Sequence, residues 1–290
     1  MLHDVLVQPL INLLAAIYAL VPGHDFGLAI IVFTVLVRLA LWPLVRKQIR
    51  QQKALRELQP EIARIRASAK GDKQKEAQLV MELYREREIN PFASIGVILI
   101  QFPILIALFV ALRTILQDGR IVDEAYAFVR ELGYMRQIAA DPALFQPHFL
   151  GINLGATGYI PLAAASALAQ YAQTKQLMPQ PKERRKLTDI LKKTAQTGDN
   201  SEAIAAMNRG MGPLFSGLMF VAAISLPAAL ALYWTTGSLV GILQQRMVLR
   251  RDVAEAESKV KVEVIDPSAK TSPARRAKKT SPRKRSGKQK

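Results

Sequence analysis

Seven side chains stand out because their surroundings are wrong for them. Arg38 lies within "GLAIIVFTVLVRLALWPLVRK", Gln101 within "LIQFPIL", Gln170 and Gln173 within "ALAQYAQTK", and Tyr233, Trp234 and Thr235 within "LYWTTG". Each is a hydrogen-bonding group in a long apolar run, and Arg38 is a permanent cation. A fixed guanidinium with neutral amides and hydroxyls can bind water, carbonyls or anions. Without a titratable partner it has no proton to move.

An arginine at the centre of a membrane helix costs roughly 2.5–3.5 kcal/mol on insertion scales. One reading is snorkelling: Arg38 precedes Arg46 by eight residues, about 12 Å at helical rise, so its side chain could lean toward headgroups. The other is that it faces a wet cavity between helices. The polar groups in the other runs, none of them a carboxylate, favour the second, because a buried arginine without a counter-ion stays solvated. Taken singly, each glutamine reads equally well as interhelical glue worth about 1 kcal/mol.

Enzyme chemistry finds no footing. His3, His24 and His148 are far apart in the chain and fall in segments read as external, and there is no cysteine. No phosphate loop, nucleophile elbow or paired-histidine zinc motif occurs. The reading is a non-enzyme with no cofactor and no metal. A proton-coupled transporter would want an acid within its spans, and the apolar runs hold no Asp, Glu or Lys.

The elements that must carry these residues follow from charge segregation. The 290 residues are half hydrophobic yet carry a formal charge of +17. Apolar runs cover 26–45, 93–112, 152–172 and 211–245, the length of bilayer-crossing helices. Residues 46–92 hold 12 Lys/Arg against 7 Asp/Glu, 175–210 hold 8 against 4, and 246–290 hold 15 against 5, whereas 113–151 hold 4 against 5. The positive-inside rule puts the first three in the cytoplasm and the last outside. An odd number of spans is then needed, and "ISLPAA" at Ile224–Ala229 divides the last run into two short ones.

The expected fold is an all-α polytopic membrane protein with five spans, N-terminus outside and C-terminus cytoplasmic. In order come an outer interfacial amphipathic helix (1–25), a first span (26–45), a cytoplasmic helical hairpin (46–92), a second span (93–112) and an outer loop (113–151). A third span (152–174), a cytoplasmic loop (175–210), fourth and fifth spans (211–226 and 227–246) and a disordered basic tail (247–290) complete it. In the N-terminal helix Gln8 and Asn12 share a face, read as its polar side. In the hairpin, Leu55, Leu58, Ile62 and Ile65 form a seam against Leu79, Val80, Leu83 and Tyr84, with "KGDK" as the turn. "DEAYAFVRELGYMRQI" reads as a short interfacial helix. The tail's Lys/Arg tracts suit anionic lipid or RNA equally.

Several stretches together resemble a known family. "LAIIVFTVLVRLALWPL", "LQPEIARIRASAKGDKQKEAQLVMELYREREINPF", "ILIQFPILIALF" and "LPAALALYWTTGSLVGILQQ" are similar to the bacterial YidC-type membrane protein insertases of the Oxa superfamily, over roughly residues 5–250. The resemblance implies a five-helix core with a hydrophilic groove open to lipid and cytoplasm. It also implies nascent membrane proteins as substrates, inserted alone or beside the Sec translocon. By position Arg38 matches the groove arginine, Gln173 a groove glutamine with Gln170 as the alternative register, and Trp234 the aromatic lining. Residues 93–112 and 211–226 match the apolar slide, 47–89 the mobile hairpin, and the tail those that dock on ribosomes. No large outer domain precedes the first span and no lipidated Cys is present, unlike many relatives. The rival reading, a channel or small-solute transporter using the same polar groove, lacks the internal repeats that would support it.

Overall fold

The computed structural model describes residues 3–69, 71–90, 93–177 and 201–265, and the molecule is mostly helical. The packed core belongs to Met1–Val248; Leu249–Lys290 forms a separate unit, described through Ile265.

A wide π-type turn, His3–Val7, leads into α1, Gln8–Leu20. Ile11, Leu14, Ala15, Ile17 and Tyr18 of α1 are buried, as is Asn12, which donates to the carbonyls of Gln8 and Glu124 and accepts from the Tyr126 amide. The expected polar face is therefore reversed at Asn12. Its amide is an internal tie to the 124–126 loop, while the large apolar side chains of Val5, Leu13 and Leu20 are exposed. A buried side-chain amide satisfied on both its oxygen and nitrogen sides is stable where an unpaired one is not.

The next helix, α2, spans Phe26–Ala40, with Asp25 as its cap through the Leu28 amide at 2.8 Å. It stops five residues before the expected 45. Leu41 leaves helical geometry, Pro43 occupies the first turn of α3, Trp42–Glu57, and the chain bends there by 69°. Proline suits a first turn and is costly within a helix, which favours a break just ahead of it.

Pro60 repeats the device on a smaller scale at the start of α4, Gln59–Ser68, which pairs with α5, Lys73–Glu86. Their small core is Leu58, Ile62 and Leu83, flanked by Ile65, Val80, Tyr84 and Ile89. Leu55 and Leu79 of the expected seam lie outside it. Arg66 and Glu76 (2.9 Å) and Arg87 and Glu61 (3.0 Å) pair across the two helices. Asp72 caps α5 through the amides of Gln74 and Lys75.

Beyond α6, Ala93–Leu116, the segment 117–159 folds onto the core. It makes two short helices, α7 (Ala127–Arg130) and α8 (Gly133–Ala140), where one is expected, and buries Val129, Met135 and Ile138. A two-residue turn then joins β1 (His148–Phe149) to β2 (Ile152–Asn153), pairing His148 with Asn153 and Phe149 with Ile152. Gly27 makes room for the hairpin, since the Phe149 ring occupies the space a Cβ would need there.

Helix α9 runs Ile160–Leu177, starting later than the expected 152 because β2 and a glycine-containing loop come first. It packs along α10, Ser201–Ser225. Leu226 and Pro227 separate α10 from α11, Ala228–Ile265. The break is held by backbone bonds: Ala228 and Ala229 amides donate to Ala156 and Leu154 carbonyls, and Gly158 donates to Ile224. Orphan amides of the α11 first turn are thereby satisfied. Residues 247–265, expected to be disordered, are helical; their Ala, Glu, Lys and Arg content favours that state. The tail beyond 265 and the loop 178–200 lie outside the described residues.

The main core joins α1, α2, α6, the segment 117–159 and the start of α11. Among the described residues, His3–Leu20 is apolar and long enough to cross a bilayer unbroken, and α2 with the helix beyond it qualifies as a bent second. Phe102–Leu116 and Pro213–Ser225 are apolar but shorter. Leu36, Leu39, Phe102, Ile106, Leu214, Leu218, Leu239 and Leu243 are exposed. An apolar exterior of that kind belongs against lipid or a partner.

Candidate functional site: a cation-bearing polar cavity

Arg38 sits in the last turn of α2 and is half-buried. It lines a cavity of about 680 Å³ bounded by five other helices. Helix α3 supplies Val45, Gln48, Ile49 and Gln52, one helical face brought alongside Arg38 by the bend at Leu41. Phe102 and Leu105 come from α6, Gln170, Gln173 and Thr174 from α9, and Phe215 and Met219 from α10. Tyr233, Trp234, Gly237, Ser238, Gly241 and Gln245 of α11 complete the wall. The spacing of three and four along α11 keeps them on one side.

Small residues let the polar side chains lie flat against α11. A Cβ on Gly237 would stand 3.2 Å from an Arg38 Nη, and one on Gly241 would coincide with the Gln173 amide. Ser238 Oγ donates to Gln170 Oε1 at 3.1 Å, and Gln244 Nε2 donates to the Arg38 carbonyl at 3.1 Å, tying α11 to the end of α2. Gln245 is buried, and its Oε1 has no hydrogen-bond partner among the described residues. None of the lining residues is acidic among the described residues. The guanidinium is thus balanced by amide and hydroxyl dipoles and by whatever enters, a role water fills well.

Five of the seven expected residues line this one cavity: Arg38, Gln170, Gln173, Tyr233 and Trp234. Thr235 is turned away; its hydroxyl meets Ser166 Oγ at 2.8 Å and bonds the Ala231 carbonyl, joining α11 to α9. The Gln101 side chain lies outside the described residues. Sequence reasoning missed Gln48, Gln52, Gln245, Gly237 and Gly241. The glycines carry a legible signal, since "GSLVG" is a small-xxx-small pattern. Gln48 and Gln52 carry none, because a hairpin helix in water has the same composition.

An apolar skin, broken helices and a cavity that gathers a cation and five glutamines, with no acidic residue among its described lining, define a helical membrane protein that keeps polar groups within its bundle. The family described as 60Kd inner membrane protein matches residues 17–255. The chain belongs to that family. It is 33% identical over 219 residues to "Membrane protein insertase YidC" of Clostridium tetani, covering 76% of this chain and 79% of the relative. It is 31% identical over 252 residues to "Membrane protein insertase MisCA" of Bacillus subtilis, covering 85% and 78%. With the YidC of Fusobacterium nucleatum the identity is 29% over 227 residues, covering 78% and 87%. Longer relatives exist: the match to YidC of Anaeromyxobacter sp. (strain K) spans 34% of that protein.

Proposed function

We propose that this insertase-family protein receives nascent membrane proteins in the cavity around Arg38 and releases their apolar helices into the bilayer. The observation carrying the proposal is that Arg38 and five glutamines line one cavity with no acidic residue among its described lining. A passenger's polar flank must cross hydrocarbon, where each unsatisfied backbone group costs several kcal/mol. A hydrated cavity reaching part-way shortens that dry path.

Arg38 attracts acidic groups in the passenger. A pair at about 4 Å gains roughly 1 kcal/mol in water and roughly 4 at an effective dielectric of 20, sufficient for transient holding and weak enough for release. The exposed Phe102 and Ile106 of α6 and Leu214, Phe215, Leu218 and Val221 of α10 form the slide along which the apolar helix leaves. Its partition into lipid, about 25 cal/mol per Å² of apolar surface, drives the process.

The topology adopted is five spans, in a plasma membrane, with the N-terminus outside and the hairpin, the 175–210 loop and the basic tail in the cytoplasm; α1 lies in the outer interface. The tail serves ribosomes and anionic lipid, and Sec is a working partner. Photo-crosslinkers at positions 102 and 215 test the route. A stalled single-span nascent chain should be captured from both, and capture from neither would overturn it.

A further inference from the structure

Gln48, Gln52, Gln173 and Gln245 all line the cavity, on three different helices. None has a hydrogen-bond partner among the described residues, and Gln245 is only 5% exposed. Gln245, buried with an unpaired acceptor, is costly to leave so unless something regularly occupies it, and the half-buried amides of Gln48, Gln52 and Gln173 stand open to the same occupant. Each glutamine offers a carbonyl acceptor and an NH₂ donor. The occupant that needs both at once, repeatedly, is a main chain in extended conformation. A helical passenger satisfies its own backbone and has nothing for these groups to bind. Side-chain recognition alone would call for a set of groups of one polarity, as Arg38 supplies for acids.

Spacing agrees. Gln48 and Gln52 are one helical turn apart, about 6 Å in rise. Alternate residues of an extended strand, which present their N–H and C=O to the same edge, repeat at about 6.6 Å.

We propose that the glutamines bind the passenger's polar flank through its backbone, as an unwound strand, so that recognition is tolerant of sequence and Arg38 adds a preference for acids. This rests on the insertase reading above. It is tested with the full-length protein in liposomes and two synthetic single-span peptides of identical side chains. In one of them, alternate residues of the translocated tail are N-methylated, which removes their donors. Rates are taken relative to protein-free liposomes. Each lost hydrogen bond is worth about a fivefold change, so protein-dependent insertion of the methylated peptide should be at least about fivefold slower. In the Gln48→Met/Gln173→Met/Gln245→Met variant the two rates should converge, with the unmethylated peptide slowed. Equal protein-dependent rates for both peptides in the unaltered protein overturn the backbone proposal alone. If neither peptide inserts faster than without protein, the insertase reading falls and this proposal with it.

Discussion

The amide of Gln173 occupies the space that a Cβ on Gly241 would fill. One glycine on α11 thereby decides where a glutamine on α9 rests, and Gly237 does the same, less tightly, for Arg38 at 3.2 Å.

Gly241→Ala should therefore push Gln173 off α11 and cost about 1–3 kcal/mol, the usual range for overpacking. Thermal unfolding in detergent measures it. Gln173→Ala introduced alongside should recover most of the loss, a non-additivity expected only of residues in contact. Additive losses would mean the two do not meet.

Arg38→Ala should slow insertion of clients with acidic outer tails by about tenfold or more, within the range of one screened ion pair. Arg38→Lys should keep most of the activity, since the charge persists. A reconstituted assay comparing acidic and neutral tails reads the difference. Unaltered insertion by both variants would remove the cation from the mechanism.

The chain has no cysteine, so single thiols can be placed without further engineering. Thr174→Cys, on the cavity wall, should react with a membrane-impermeant polar reagent added to inside-out vesicles. Ala111→Cys, buried in the main core, should stay unmodified. A silent Thr174→Cys would mean the cavity is dry.

Ile62 belongs to a small core of three buried side chains among the described residues. Ile62→Ala should remove about 2–5 kcal/mol of packing, more than so small a core can lose. Amide exchange across α4 and α5 should rise to near that of unfolded chain while α2 and α11 keep their protection. Protected α4 and α5 amides in the variant would show that the hairpin draws its stability from elsewhere.

Deleting residues 255–290 removes 12 of the 15 Lys/Arg residues in the tail and should weaken ribosome co-sedimentation in a salt-dependent way. Co-sedimentation unchanged by the deletion would assign the tail to lipid.

Some of this protein is written in one dimension. That Arg38 and the glutamines of α9 lie in apolar runs, that acids are absent from those runs, and that basic residues gather in alternate loops are properties of the string of letters. They follow from hydropathy and charge, which need no partner to be evaluated. Pro227 announces a break for the same local reason, whereas Pro103 and Pro213 sit inside helices.

Assembly of the cavity is a different matter. Gln48 and Gln52 read as part of a water-exposed hairpin until the 69° bend at Leu41 sets α3 beside Arg38. Asn12 reads as the wet side of α1 until the 124–126 loop supplies its partners. Thr235 has the same composition-level credentials as Trp234, yet one faces Ser166 and the other the cavity. Local chemistry determined which groups are polar and where helices stop. Which of them share one pocket was decided by bends and by the closeness of approach that Gly237 and Gly241 permit, because steric contact between distant segments exists only once the chain has folded.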